Sequence, residues 1–276
     1  MLTMRLADIL GDRVSGSSTL YRKAVDLFLE HPYYRDPNHT FHAVGRLIEQ
    51  FPEMAAFVYL KSRLAKSSGK TIVSLLQELQ SEADAEPGKI GRHLDRIWKS
   101  PKRIVTYSRS SVASRLVLER RRRIRSLLIS IGAPHDEGAL SAEAFAESGI
   151  HVVLCTDAAL PGLIQRDDLL VLGADGVTEQ YFVNKCGSLG LVLAAKKARA
   201  VSCVVYEPFK RVDSRRFLFR PKQHPQREIV AKRRHHISVY NAYFEKVPAD
   251  LVDWFISSDG MIRGKDMARA GRAARA

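Results

Sequence analysis

The chain is short of cysteine. Three residues, Cys155, Cys186 and Cys203, are spread over 276 positions. That is too few and too scattered for a disulfide framework or a zinc cluster. Cys155 and Cys203 lie in apolar runs and read as small buried hydrophobes, which fits a reducing, cytoplasmic setting. Long apolar runs are missing too. No stretch reaches 18 apolar residues, so no membrane-spanning helix is expected. The first residues, MLTMRLADILGDR, mix acids with apolar side chains and hold no signal-peptide core. There is no GxGxxG, P-loop or GxSxG pattern and no internal repeat. His39 and His42 stand three apart and His235 and His236 are adjacent, but neither pair has a third ligand beside it, so no metal or other cofactor is expected.

Acids are scarce in one part only. Residues 1–98 hold 13 Lys/Arg against 12 Asp/Glu, while the remainder holds 31 against 18, for a net charge of +14 overall. Positive charge so placed points either to an anionic partner for the C-terminal part or to a solvated basic surface. The densest run, Arg120 to Arg123 with Arg125, falls at the end of an expected helix, where cations complement the helix dipole. It has no interleaved aromatics and belongs to no nucleic-acid module, so nucleic acid is not the expected partner.

Residues 1–98 carry apolar residues at helical spacing. STLYRKAVDLFLEHP ends at Pro32. The stretch from His39 to Gly69 breaks near Pro52. KTIVSLLQELQSEADA is expected to stop at Pro87-Gly88, and KIGRHLDRIWKS before Pro101. After Pro101 short apolar runs alternate with helix-like stretches. The runs are 103–107, 127–131, 150–156, 169–175 and 201–207, and the helical patterns lie near 110–125, 140–148 and 187–199. Such alternation predicts a parallel sheet covered on both faces. Ligands bind outside the C-terminal ends of such strands. Those ends are Tyr107-Ser108-Arg109, Asp157, Gly173-Ala174-Asp175 and Glu207-Pro208.

Two stretches there carry chemistry. In VLGADGVTEQYFVNKCGSLGL, Asp175 follows an apolar strand, and Gly187 is placed to open a helix whose amides, with Lys185 nearby, favour a phosphate. An acid facing such a helix mouth is an acid/base arrangement for a sugar phosphate; the alternative is that Asp175 caps a turn. In VTYSRSSVASRL, Ser108, Arg109, Ser110 and Ser111 stand between a strand and a helix. They form either an anion cradle or a simple serine cap.

Together these segments resemble the family of the alpha, beta and delta subunits of eukaryotic translation initiation factor 2B, which also contains methylthioribose-1-phosphate isomerase and ribose-1,5-bisphosphate isomerase. The resemblance covers about residues 100–262. It is carried by Gly-Ala-Asp at 173–175, Asn-Lys-x-Gly at 184–187, AESGIHVVLCTDAA, VVYEPFKR with Glu207, Phe209 and Lys210, and NAYFEKVPADLV with Asn241, Phe244 and Pro248. It implies an α/β fold: an N-terminal helical domain over residues 1–98, then a Rossmann-like domain over 99–276 with a mainly parallel sheet. It implies Asp175 as the catalytic acid/base, with Ser108, Arg109, Asn184, Lys185, Gly187, Glu207 and Lys210 around a phosphorylated small molecule. It also implies a homodimer paired through the Rossmann-like domains, to which the apolar Phe-Leu-Phe at 217–219 lends some support.

Two positions depart from the isomerases. Their second proton-carrying group is a cysteine, and its place here is taken by Ser108. A thiol titrates near pH ~8.5, within reach of neutral pH, whereas a serine hydroxyl with no base beside it is not. Ala133 stands where a ligand-contacting arginine is expected, and the N-terminal Arg-Gly-Ala or Lys-Gly-Ala segment is missing. The expected function is therefore binding of a phosphorylated sugar or nucleotide by a diverged or non-catalytic relative of aldose-phosphate isomerases. The known isomerase reactions are not expected at family rates. The alternatives are an active aldose–ketose isomerase that uses Asp175 on another phosphosugar, and a translation-related interaction subunit.

Overall fold

The computed structural model describes residues 4–12, 14–66, 71–100, 102–232 and 235–273. The N-terminal part is helical: α1 (Leu6–Gly11), α2 (Ser17–Glu30), α3 (Pro37–Gln50), α4 (Ala55–Ala65) and α5 (Ile72–Leu94). Their apolar faces share one core, with Leu20, Ala24, Phe28, Val44, Leu47, Phe57, Leu60 and Leu76 buried together. Among the described residues no helix is long and apolar enough to cross a membrane.

The remainder alternates strands and helices. In chain order these are β1 (Lys102–Val105), α6 (Ser111–Glu119), β2 (Ile124–Ser130), α7 (Glu137–Glu147), β3 (Val152–Cys155), β4 (Leu169–Leu172), β5 (Gly176–Val177), β6 (Tyr181–Lys185), α8 (Ser188–Ala198), β7 (Val201–Val205), β8 (Phe244–Pro248), β9 (Trp254–Ser257), β10 (Gly260–Arg263) and α9 (Gly264–Ala273). Seven strands form one sheet in the order β10-β9-β7-β4-β1-β2-β3. All neighbours are parallel except the closing β9–β10 hairpin. Side chains alternate between its two faces, as strand geometry demands. Ile104, Leu127, Leu169 and Val171 pack under α5, α6 and α7, whereas Val105, Leu128, Leu170 and Leu172 pack under α8. Strand order reverses at β1, whose neighbours are β4 and β2. The loops after β1 and β4 therefore part company there and leave a crevice.

Four local expectations are corrected. Helix α5 runs through Pro87 instead of stopping there. A proline inside a helix costs ~3 kcal/mol, but continuing the chain buries Ile90, Leu94 and the nearby Trp98 completely against the sheet, each worth roughly 1.5–3 kcal/mol. Packing wins. The polar-looking stretch after Asp175 is not a loop but β5 and β6, which with β8 form a separate antiparallel sheet. Asn184 and Lys185 therefore lie on a strand. Phe217 and Phe219 are buried against Ala55 and Val183, which removes the support they lent to pairing, and only Leu218 between them is exposed. Cys155 is only half-buried, because its strand β3 is the sheet edge, whereas Cys203 is buried as expected.

Candidate functional site

A cavity of about 410 Å³ opens at the crevice beside β1 and β4. Three chain segments meet there. The first is the loop after β1, Tyr107 to Ser111, which leads into α6. The second is Ala174-Asp175 after β4. The third, Ser15 to Ser18 at the start of α2, comes from the helical part and was not expected. Two helices thus begin at one cavity, and helix starts carry unpaired amides and partial positive charge.

Close packing explains the sequence around them. A Cβ on Gly173 would lie 2.1 Å from Ser110 Oγ, so only glycine lets β4 end against the serine that caps α6. Asp175 is fixed by its backbone: its amide donates to the Val183 carbonyl and its carbonyl accepts from the Ala55 amide, both at 2.9 Å. Its side chain faces the cavity, half-buried there. Burial raises its pKa above the usual carboxylate range, an effect that Lys210 and Ser17 only partly offset.

The α2 start has no side-chain cap. Ser17 and Ser18 are 2% and 1% exposed and line the cavity, where the Ser17 hydroxyl bears on the Asp175 carboxyl and the Ser18 hydroxyl on the Glu207 carboxylate, neither in well-aligned hydrogen-bond geometry. Buried hydroxyls left so are costly. Lys210 lines the same wall and pairs with Glu207 at 3.0 Å, both groups fully buried. Burial alone would raise Glu207, but the Lys210 ammonium and Ser18 outweigh it and hold the carboxylate below its ordinary range. Arg109 stands exposed at the rim with no ion pair among the described residues, and Lys222 reaches the cavity while donating to the Gln50 carbonyl at 2.9 Å.

Of the residues expected to converge, Asp175, Ser108, Arg109, Asn184 and Lys210 line this one cavity. Asn184 is buried and donates to Ser188 Oγ at 2.9 Å. Glu207 lies behind Lys210. Gly187 does not reach the cavity, and its amide is already used: Glu245 Oε1 accepts from the amides of Gly187 at 2.8 Å and Leu189 at 2.9 Å. The expected phosphate cradle at that helix mouth is filled by a side chain of this protein. Lys185 is buried in an ion pair with Glu137 at 2.8 Å. Glu137 also accepts the Ser108 hydroxyl at 2.6 Å. The premise that Ser108 has no base beside it is therefore overturned.

Sequence reasoning missed Ser17, Ser18 and Glu137. The one signal for the serines was Gly-Ser-Ser opening a helical pattern, the same chemistry as Ser110-Ser111. Glu137 gave none, since it opens α7 well after the end of β2. The 131–137 loop is set by Asp157, whose two oxygens accept the amides of Gly132 and Ala133 at 2.9 and 2.8 Å. His135 from that loop also reaches the cavity, with its Nε2 2.8 Å from Tyr243 Oη. Among the described residues no cluster of His, Cys, Asp or Glu is placed to hold a metal ion.

The model of the Initiation factor 2 subunit family matches residues 41–264. The chain is 26% identical to the ribose 1,5-bisphosphate isomerase of Archaeoglobus fulgidus over 201 residues, which are 70% of this chain and 64% of that protein. It is likewise 26% identical over 280 residues to a protein of Pyrococcus abyssi named as translation initiation factor eIF-2B subunit 2-like, covering 95% of this chain and 98% of the other. In three dimensions it resembles the crystal structure of the translation initiation factor eIF-2B of Pyrococcus horikoshii OT3. The TM-score is 0.80 at 20% identity, over 95% of this chain and 97% of that one.

Proposed function

This chain belongs to the Initiation factor 2 subunit family, and from that premise we propose that it binds a phosphorylated sugar or nucleotide in the cavity, as a diverged relative of the aldose-phosphate isomerases. The observation that carries this reading is the pair Ser17 and Ser18. Two buried hydroxyls without an aligned partner, lying beside the Asp175 and Glu207 carboxyls, stand at an uncapped helix start and face a cavity that a second helix start also enters. A phosphate there would accept from both hydroxyls and from free helix amides, with Lys210 and Arg109 adding charge-assisted bonds. Asp175 would accept or donate a hydrogen bond to the sugar beside it. The isomerase name of the Archaeoglobus relative favours a sugar phosphate over a nucleotide.

The test is calorimetry on the full chain with inorganic phosphate, pentose mono- and bisphosphates and nucleoside phosphates. At least one phosphorylated compound binds, and Ser17→Ala combined with Ser18→Ala weakens it roughly tenfold or more, since each ~1.4 kcal/mol is one decade. Failure of every phosphorylated compound to bind, or equal affinity in the double variant, refutes the reading.

A further inference from the structure

Part of the cavity wall carries a hydrogen-bonded chain that phosphate binding does not use. Ser108 Oγ donates to Glu137 Oε2 at 2.6 Å, and Lys185 Nζ donates to Oε1 of the same carboxylate at 2.8 Å. Ser108 and Glu137 both line the cavity, while Lys185 is almost wholly buried behind them. The lysine balances the carboxylate's charge, and a carboxylate with two oxygens still has acceptor capacity facing the cavity.

The backbone is bent to make this contact. Four described non-glycine residues have a positive φ, and two of them sit at this one hydrogen bond: Ser108 at 59° and Asp136, just before Glu137, at 53°. Left-handed backbone is disfavoured for residues with a Cβ and persists where the surroundings impose it, often at functional sites. Gly138 closes the other side. A Cβ there would lie 1.9 Å from the Ser130 carbonyl oxygen, so the turn that presents Glu137 is packed directly on the end of β2.

We propose that Glu137 is the proton acceptor of this site and works through Ser108, whose Oγ takes a substrate hydroxyl proton while handing its own to Glu137 Oε2. The proposal rests on the cavity being a phosphosugar site, and it supplies the second proton-carrying group that the serine at 108 had seemed to remove. The conversion of a ring-form aldose 1-phosphate to the ketose then balances as follows. The bond between C1 and the ring oxygen breaks, and that oxygen takes the proton held by Asp175. The hydrogen on C2 passes to C1 with its electron pair. The O–H bond at C2 breaks, its proton goes to Ser108, and the Ser108 proton goes to Glu137. C1 is reduced and C2 oxidised, so no outside oxidant or reductant is needed. Asp175 ends ionised and Glu137 protonated, and both reset by proton exchange with water in the open cavity. Asp175 suits the donor role, because its burial favours the protonated form.

The test uses the full chain with ribose 1,5-bisphosphate, 5-methylthioribose 1-phosphate, ribose 1-phosphate and inorganic phosphate. Calorimetry reads binding, and carbon NMR reads formation of the C2 carbonyl. The expected result is turnover of at least one sugar, with Glu137→Gln lowering kcat by about 100-fold or more, the scale of a lost general base. Its affinity stays within about threefold, as expected when the lost interaction belongs to the transition state. The acidic limb of the kcat–pH profile disappears in Glu137→Gln and returns in part in Glu137→Asp. Ser108→Ala also lowers kcat, and carries the test alone should Glu137→Gln not fold. Unchanged kcat in Glu137→Gln, or tight binding with no turnover by the unaltered chain, overturns the relay and leaves the binding reading intact. Binding of none of the four probes overturns both.

Discussion

The amide of Gly187 donates to Glu245 Oε1 at 2.8 Å. A carboxylate from β8 thus fills the anion position at the start of α8, and the helix start most visible in the sequence is a structural joint. Glu245→Ala leaves the amides of Gly187 and Leu189 without this acceptor. We expect a loss of about 0.5–2 kcal/mol, the range for a lost helix cap, read by urea unfolding. Phosphate affinity stays unchanged. A large drop in affinity would place the ligand at α8 instead of α2 and α6.

Asp175 gives stability a definite pH slope. Burial raises its carboxyl above the usual range, while in the unfolded chain it titrates near ~3.9. Between those two values the folded state holds the extra proton, so its contribution falls as pH rises through that window and stays low above it. Asp175→Asn removes the penalty. The variant is expected to be more stable than the parent at neutral pH, with the gap closing as pH is lowered toward about 4. Unfolding free energies across that range check this, and a gap that widens on acidification contradicts it.

Arg103 grips Asp168 with two bonds of 2.7 Å, from Nε to Oδ1 and from Nη2 to Oδ2, and the aspartate side chain is 3% exposed. The pair ties the start of β1 to the start of β4, at the end of these strands opposite the crevice. Arg103→Ala leaves a buried carboxylate with the Gln165 amide but no counter-charge and is expected to cost about 3–5 kcal/mol. Asp168→Asn in the same background recovers much of it, because an amide is cheaper to bury unpaired than a charge. Chemical denaturation of both variants decides the point.

Gly173→Ala tests how tightly strand and helix start are packed. Its Cβ would meet Ser110 Oγ at 2.1 Å, so Ser110 must leave its capping position at α6. Stability is expected to fall by at least the ~1 kcal/mol of a lost cap, with weaker binding of any ligand seated at Ser110 and Ser111. Wild-type affinity in this variant would remove the α6 start from the site.

Pairing of two chains is expected through the open edge of the large sheet. Val153 and Leu154 on β3 are 41% and 47% exposed, and Leu140 and Leu163 are 53% and 41% exposed, which is apolar area a monomer leaves in water. Light scattering of the full chain at micromolar concentration should give a dimer, and Leu154→Asp a monomer. A monomer from the unaltered chain sinks the expectation.

The core of the fold was legible. Runs such as Leu169–Leu172 are apolar at every position because both faces of a parallel strand are covered, and that pattern is local. Asp175, Ser108 and Arg109 could be assigned to one edge because each follows such a strand. Lys210 came only through the family resemblance, whereas Asn184 was placed there by its position just before an expected helix start, although the strand it occupies was not legible. β5 and β6 are short, and the second partner of β6, β8, lies some sixty residues on, so no local pattern announces this sheet.

The sequence by itself determined the large sheet, the helical first third and the strand ends that line the cavity, because burial imposes a period on neighbouring residues. Only the tertiary structure decided which groups are free to act. Pro87 stays helical because distant side chains reward it. Glu245 takes the amides of α8, and Glu137 takes Ser108 and Lys185. Ser17 comes to Asp175 and Ser18 to Glu207 at the cavity. Each of these outcomes pairs residues far apart along the chain, and hydrogen-bonding capacity is allotted by distance in space, which no spacing in sequence encodes.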